Sequence, residues 1–170
     1  PFLSKVAQQR ESPLITKNSA LLVIDLYNLV FEGGNRSLQE EGLFDHFPAT
    51  CGEKAYQAIV PTNQLISLFR DRALPIFFST KDFEKAQKDG NATLRPRKTA
   101  NAEDYKIFPE IDFEPTDNLV KKLRASIFFN TGLHDHLTRL QVDNLFIGGE
   151  STSGCVRASV VDAFSLGYRV

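Results

Sequence analysis

The sequence predicts an α/β fold, in which helices cover both faces of a mostly parallel open sheet to form a three-layer αβα sandwich. Two observations predict this class. Short apolar runs alternate with segments of helical spacing along the 170 residues, and the first run, residues 20–24, is apolar at every position. A run without polar alternation is typical of a strand buried on both faces. Alternation of strands with helices favours parallel strands joined by right-handed crossovers.

The individual elements follow from apolar runs, helical spacing and turn residues. Strands are predicted over residues 20–24, 74–80, 119–121 and 145–148. Helices are predicted over residues 59–72, 133–140 and 154–166, with Pro61 in the first turn of the first helix and Gly167 at the end of the last. Residues 36–54 are predicted to be irregular, and residues 81–104 to form a long polar loop. We expect one domain over residues 1–170, truncated at its C-terminus, because residues 167–170 resemble a turn and the start of a further strand.

The composition is that of an ordinary globular protein, with 42% hydrophobic and 24% charged residues. A formal net charge of −1 provides no bulk attraction to nucleic acid or to an acidic membrane. No apolar run approaches the ~20 residues that span a bilayer, and residues 1–17 lack the apolar core of a signal peptide. The two cysteines lie far apart, so no disulfide framework is predicted. We therefore expect a reduced, cytoplasmic protein that binds neither nucleic acid nor membranes.

Three chemically useful side chains are predicted to meet at one edge of the sheet. Asp25 ends the first strand, Lys122 ends the third, and Cys155 follows the fourth and opens the last helix. The carboxyl ends of parallel strands form the edge where ligands bind. A thiol at a helix N-terminus can lose its proton near neutral pH and act as a nucleophile. A base, a cation and a nucleophile predict covalent catalysis.

Each of these residues also has a structural interpretation. Asp25 is alternatively a turn or helix-capping residue, Lys122 a solvated lysine at a strand end, and Cys155 a small buried hydrophobic residue. Only their shared edge favours the catalytic interpretation. The other cysteine, Cys51, is predicted to have a structural role or no functional role.

Three segments carry a resemblance to a known family: LVIDLYN at residues 22–28, KLRASIFFNTGL at residues 122–133 and GESTSGCVR at residues 149–157. The chain resembles the isochorismatase-like cysteine hydrolases, and within them the N-carbamoylsarcosine amidohydrolase and maleamate amidase branch. The resemblance implies Asp25, Lys122 and Cys155 as a catalytic triad. It also implies a cis peptide bond between Glu150 and Ser151, and an oxyanion hole made of the backbone N–H groups of Ser151 and Cys155.

The resemblance extends to substrate binding, with two departures from the usual pattern. We assign substrate contacts to Asn28, Phe31, Glu150 and Thr152. The family usually places phenylalanine five residues after the aspartate, where this chain has Val30 and only then Phe31. Lys121 is an alternative to Lys122, although the spacing to the following motif favours Lys122. Arg95, Arg97 and Lys98 either belong to a solvated loop or bind a carboxylate at the mouth of the site.

The histidines argue against a metal site and against a nicotinamidase. Metal-dependent relatives carry histidines after the second strand, whereas residues 78–105 contain none here. His134 and His136 lie two apart on a predicted helix and so face different directions. A cysteine at the nucleophile position disfavours the vinyl-ether hydrolysis of true isochorismatases. We predict a cofactor-free amidohydrolase that forms a thioester from a small amide or N-carbamoyl compound, as a homodimer or homotetramer; the alternative is a non-catalytic relative that binds or assembles.

Overall fold

Four strands form one sheet in the computed structural model, which describes residues 14–89 and 101–170. They are β1 (Ser19–Ile24), β2 (Ile76–Lys81), β3 (Asn118–Lys122) and β4 (Asn144–Gly149), in the order β3-β2-β1-β4. Each neighbouring pair is parallel, and the central strands β1 and β2 are buried along almost their whole length. The predicted α/β class with a parallel sheet is therefore confirmed.

Helices connect the strands in the described part of the chain. The α-helices are α1 (Leu43–His46), α2 (Gly52–Arg70), α3 (Phe83–Asp89), α4 (Leu133–Arg139) and α5 (Arg157–Ser165). Two 3-10 turns cover Asn28–Phe31 and Glu103–Tyr105, and a π-helical turn covers Thr152–Val156. Within the described ranges, no helix combines the length and hydrophobicity needed to cross a membrane.

Four helix positions differ from the prediction. The helix α1 lies within residues 36–54, which were predicted to be irregular, and α5 begins at Arg157 rather than at residue 154. The helix α2 begins at Gly52 rather than at residue 59, so Pro61 lies inside the helix and not in its first turn. Pro61 lacks the N–H that would pair with the carbonyl of Gln57, and both residues are exposed, so water can satisfy that carbonyl. The helix α3 occupies part of the predicted loop at residues 81–104. The cationic loop residues Arg95, Arg97 and Lys98 lie outside the described residues.

Alternate residues of β1 pack into separate cores on the two faces of the sheet. Leu22 faces a cluster that includes Leu137 of α4 and Ala163 of α5. Leu21 faces the opposite cluster, which includes Phe69 of α2. Because successive side chains of a strand point to opposite faces, the unbroken apolar run of β1 fills both cores. This arrangement gives the three layers that the sequence predicts, and Asp25, which directly follows β1, is buried.

The last residue of β4 allows β4 to approach β1 very closely. Gly149 has a φ of +128°, and a Cβ atom placed on it would lie 2.1 Å from the carbonyl oxygen of Ile24. A side chain would have to move backbone atoms, and only glycine adopts this φ without strain. The sequence therefore needs glycine where the chain leaves the sheet towards the π-helical turn.

We expect Gly149→Ala to lower the free energy of unfolding by about 2–3 kcal/mol, because overpacking adds to backbone strain at this position. Urea unfolding followed by circular dichroism measures the loss. The neighbouring Gly148→Ala is a matched control, since a Cβ atom there meets no atom within 4 Å. Equal losses in the two variants would contradict the close-approach argument.

Candidate active site

The structure brings Asp25, Lys122 and Cys155 together at the carboxyl edge of the sheet. Asp25 directly follows β1, Lys122 is the last residue of β3, and Cys155 lies in the π-helical turn between β4 and α5. Asp25 and Lys122 are buried, and Cys155 is half-buried. The backbone of Asp25 turns out of the strand with a φ of +55°, a region that aspartate tolerates better than most residues.

A buried ion pair forms the centre of the site. The Nζ atom of Lys122 lies 2.6 Å from Oδ2 of Asp25, and the two side chains are 5% and 3% exposed. The same ammonium donates to the carbonyl of Arg124 at 3.2 Å and contacts Sγ of Cys155 at 3.6 Å. Its donors are thus directed at a carboxylate, a carbonyl and the thiol. Lys121, the alternative from the sequence, is exposed.

Ser79 on β2 fixes the other oxygen of the carboxylate. Its hydroxyl donates to Oδ1 of Asp25 at 2.7 Å and accepts a hydrogen bond from the Asp25 N–H at 3.2 Å. The strand β2 lies between β1 and β3, so Lys122 reaches across it to Asp25. The sequence analysis did not single out Ser79, whose only signal was its place as the first of three polar residues that end β2.

The Cys155 thiol stays protonated near neutral pH. Burial raises its pKa most, the negative charge of Asp25 raises it further, and a hydrogen bond to Asp25 adds to both. The positive charge of Lys122 lowers the pKa, but the balance is a value of about 11. The expectation of a thiol ionised near neutral pH is therefore wrong. That expectation rested on a helix N-terminus, whereas the structure places Cys155 in a half-buried turn beside a carboxylate.

The turn before Cys155 presents the predicted oxyanion-hole residues. The peptide bond between Glu150 and Ser151 is cis. The carbonyl of Ser151 accepts hydrogen bonds from the N–H groups of Gly154 and Val156, at 3.0 and 3.1 Å, which close the turn. In the described residues, the N–H of Ser151 donates no hydrogen bond. Thr152 is exposed on the same turn.

Two predicted substrate contacts have structural partners. The side-chain amide of Asn28 donates to the carbonyl of Glu103 at 2.8 Å. Phe31 is 3% exposed and stacks on Phe108, with ring centroids 3.9 Å apart. Both side chains thus hold the loop around residues 103–108 against the first 3-10 turn. Direct contact of Asn28 and Phe31 with a substrate stays a prediction.

Three further residues extend the polar cluster around the ion pair. The pKa of the Tyr27 phenol is raised by burial and by the charges of Asp25, Glu150 and Cys155. Burial, and then the charge and hydrogen-bonding effect of the Glu150 carboxyl, raise the pKa of the Cys51 thiol at the start of α2 to about 11. Burial and then the charge of Asp25 raise the pKa of Glu150, against the opposing effects of Lys122 and Cys51. Cys51 is thus a neighbour of the site.

The histidines have other partners. Nδ1 of His134 lies 2.9 Å from the Tyr168 hydroxyl, and the His136 ring packs edge-on against Phe77 with centroids 5.2 Å apart. Across residues 14–89 and 101–170, no three His, Cys, Asp or Glu side chains are grouped so that they could hold a metal ion.

Known proteins are similar to this chain in sequence. The chain is 28% identical over 132 residues to an N-carbamoylsarcosine amidase of Arthrobacter sp., an alignment that covers 72% of this chain and 49% of that protein. It is 28% identical over 162 residues to a probable inactive nicotinamidase of Arabidopsis thaliana, covering 89% of this chain and 76% of that protein. The chain thus spans about half the length of the Arthrobacter relative.

A solved structure and a family model agree with these relatives. The crystal structure of an isochorismatase family protein superposes with a TM-score of 0.65 at 26% identity, covering 91% of this chain and 76% of that one. The sequence model of the isochorismatase domain matches residues 19–170, which include all the strands described above and Asp25, Lys122 and Cys155. The resemblance drawn from the three sequence segments is confirmed, and the chain belongs to the isochorismatase-like hydrolase family.

Proposed function

We propose that this protein is a cysteine-dependent amidohydrolase that cleaves the C–N bond of a small amide or N-carbamoyl compound and releases ammonia. The observation that carries the proposal is that the Lys122 ammonium lies 2.6 Å from Oδ2 of buried Asp25 and 3.6 Å from Sγ of Cys155, so that one cation joins the carboxylate to the thiol. A nucleophile, a proton acceptor and a fixed cation within reach of one another are the groups that covalent acyl transfer needs. The name of the Arthrobacter relative supports the same type of bond.

In the first half of the proposed reaction, a thioester forms and ammonia leaves. Sγ of Cys155 attacks the carbonyl carbon while its proton moves to the Asp25 carboxylate, whose charge acts on the thiol. The N–H groups of Ser151 and Cys155 stabilise the oxyanion, and losing one such donor typically costs about 3 kcal/mol. Asp25 then gives the proton to the departing nitrogen as the C–N bond breaks.

In the second half, water hydrolyses the thioester. Asp25 accepts a proton from the water as its oxygen attacks the acyl carbon. When the C–S bond breaks, the proton returns from Asp25 to Sγ of Cys155, which restores the starting thiol. Throughout the cycle Lys122 remains a cation that holds Asp25 and Cys155 in register. Glu150 and Thr152, on either side of Ser151, are proposed as substrate contacts.

The test is ammonia release from a panel that contains N-carbamoylsarcosine, maleamate, ureidoacrylate, biuret and nicotinamide, with a metal chelator present. We expect release from at least one compound, because the described residues supply the nucleophile, the proton acceptor and the cation that the proposed reaction uses. Intact-mass measurement at short reaction times should detect an acyl adduct, and peptide mapping should locate it on Cys155. An adduct on another residue would contradict the proposed nucleophile.

The alternative is a non-catalytic protein that uses the same pocket for binding or assembly. The specific observation in its favour is the Arabidopsis relative, whose name describes it as probably inactive. Failure of every panel compound to release ammonia or to form an adduct would favour this alternative. Reactivity of Cys155 near neutral pH is not a discriminating test, because the raised pKa of the thiol predicts slow alkylation in either case.

A further inference from the structure

The two carboxylate oxygens of Asp25 have different hydrogen-bond partners. Oδ1 accepts a hydrogen bond from the Ser79 hydroxyl at 2.7 Å, and Oδ2 lies 2.6 Å from Nζ of Lys122. The same ammonium lies 3.6 Å from Sγ of Cys155. One cation therefore links Oδ2 to the thiol, whereas Oδ1 is directed at the neighbouring strand β2.

The hydrogen of the Ser79 hydroxyl has one acceptor. The side chain of Ser79 is fully buried, and its Oγ accepts a hydrogen bond from the Asp25 N–H at 3.2 Å. Among the described residues, Oδ1 of Asp25 is the only acceptor for the Ser79 O–H. A buried O–H group without an acceptor is costly, because folding removes its hydrogen bonds to water and nothing replaces them. The Ser79 hydroxyl is therefore committed to donating to Oδ1.

We propose that Ser79 is a positioning residue that keeps Oδ1 of Asp25 unprotonated, so that Oδ2 is the oxygen that takes and returns the catalytic proton. This role rests on the proposed function, in which Asp25 accepts the thiol proton. A proton on Oδ1 would point at Oγ of Ser79 and leave the Ser79 hydrogen without an acceptor. A proton on Oδ2 preserves the hydrogen bond, because Oδ1 is then the carbonyl oxygen of a neutral carboxyl group and still accepts.

The proton then follows one route through the proposed reaction. It moves from Sγ of Cys155 to Oδ2 of Asp25 as the S–C bond forms and the carbonyl electron pair moves to oxygen. It moves from Oδ2 to the departing nitrogen as the oxyanion collapses and the C–N bond breaks. Ser79 keeps its own proton in both steps. Its hydrogen bond stabilises the ionised carboxylate more than the neutral carboxyl group, because charged acceptors form the stronger hydrogen bonds.

The kinetic test replaces Ser79 with alanine. We expect kcat to fall by about tenfold, because Asp25 loses its fixed orientation and releases its proton to the nitrogen less readily. KM should change by less than about twofold, since a fully buried residue cannot touch the substrate. The acid limb of the kcat/KM profile should move about one pH unit upwards, because the ionised form of Asp25 loses a donor.

The matched control is Ser19→Ala, which removes an equally buried hydroxyl at the opposite end of β1. That hydroxyl is bonded to Thr16 and Asn144, away from the proposed catalytic residues. Ser19→Ala should lower the stability of the fold and leave kcat and the acid limb unchanged. An acid limb at the wild-type position in Ser79→Ala, or an equal shift in both variants, would overturn the role of Ser79.

Neutron diffraction from wild-type crystals exchanged into heavy water provides a readout that needs no hydrolysis. We expect deuterium on Oγ of Ser79, directed at Oδ1 of Asp25, and none on Oδ1. Deuterium on Oδ1, or a Ser79 O–D group turned away from it, would overturn the proposal. The expected deuterium position in a protein that hydrolyses no panel compound would refute the amidohydrolase and leave the Ser79 hydrogen bond standing. Hydrolysis with deuterium on Oδ1 would do the reverse.

Discussion

Replacing Asp25 with asparagine is expected to have opposite effects on two reactions of Cys155. Hydrolysis should fall by about 1,000-fold or more, because the thiol loses the group that accepts its proton. Alkylation by iodoacetamide near neutral pH should become faster, because the charge of Asp25 is one of the causes that raise the pKa of the thiol to about 11. The thiolate is the charged form, so removing a nearby negative charge lowers its pKa while Lys122 continues to favour it.

The measurement is the rate of alkylation at Cys155 as a function of pH. Its inflection should lie near pH 11 in the wild-type protein and at a lower pH in Asp25→Asn. Asp82→Asn is a matched control at the same edge of the sheet, because Asp82 follows β2 and accepts a hydrogen bond from the Lys85 N–H, which asparagine can also do. This control should leave both reactions unchanged. An inflection that moves to higher pH in Asp25→Asn, or hydrolysis that persists there, would refute the role of Asp25 as base.

The convergence of the proposed catalytic residues could be predicted because it depends only on strand direction. Asp25, Lys122 and Cys155 follow apolar runs, and parallel strands bring their carboxyl ends to one edge in any strand order. The spacing to the following motif favoured Lys122 over Lys121, and the structure agrees, because Lys122 is buried against Asp25 whereas Lys121 is exposed on the other face of the strand. The observed order adds a detail that spacing does not contain: β2 separates β3 from β1, so only a long side chain can reach from Lys122 to Asp25.

The ionisation of the site could not be predicted, because it depends on burial and on distances between residues far apart in sequence. A position after a strand and before a helix suggested a thiol with a lowered pKa. The folded chain half-buries Cys155 and brings the charge of Asp25 close to its thiol, and these effects on the pKa outweigh that of the Lys122 cation. The contact between Cys51 and Glu150 likewise joins the start of α2 to the end of β4. Nothing in the sequence around Cys51 or around Glu150 indicates that these two residues are neighbours in the fold.

Replacing Cys155 with alanine is expected to abolish hydrolysis, with a loss of about 10,000-fold or more, because the proposed mechanism has no other nucleophile. The fold should persist, since alanine leaves only a small gap at a half-buried position and the buried Asp25–Lys122 pair, 2.6 Å apart, keeps both of its members. The measurement is ammonia release from the best panel substrate, accompanied by thermal unfolding. Serine is a weaker nucleophile than cysteine, so Cys155→Ser should also lose almost all activity while preserving the volume of the side chain.

The matched control for Cys155→Ala is Ser153→Ala, which shortens an exposed side chain in the same π-helical turn. It should retain hydrolysis, because no described contact of the Ser153 side chain reaches Asp25, Lys122 or Cys155. Calorimetric binding of the substrate to Cys155→Ala distinguishes a lost chemical step from a collapsed pocket, since the substrate should still bind when only the nucleophile is missing. Wild-type rates in Cys155→Ala would assign the chemistry to another residue, whereas loss of hydrolysis with binding retained is the result that covalent catalysis by Cys155 requires.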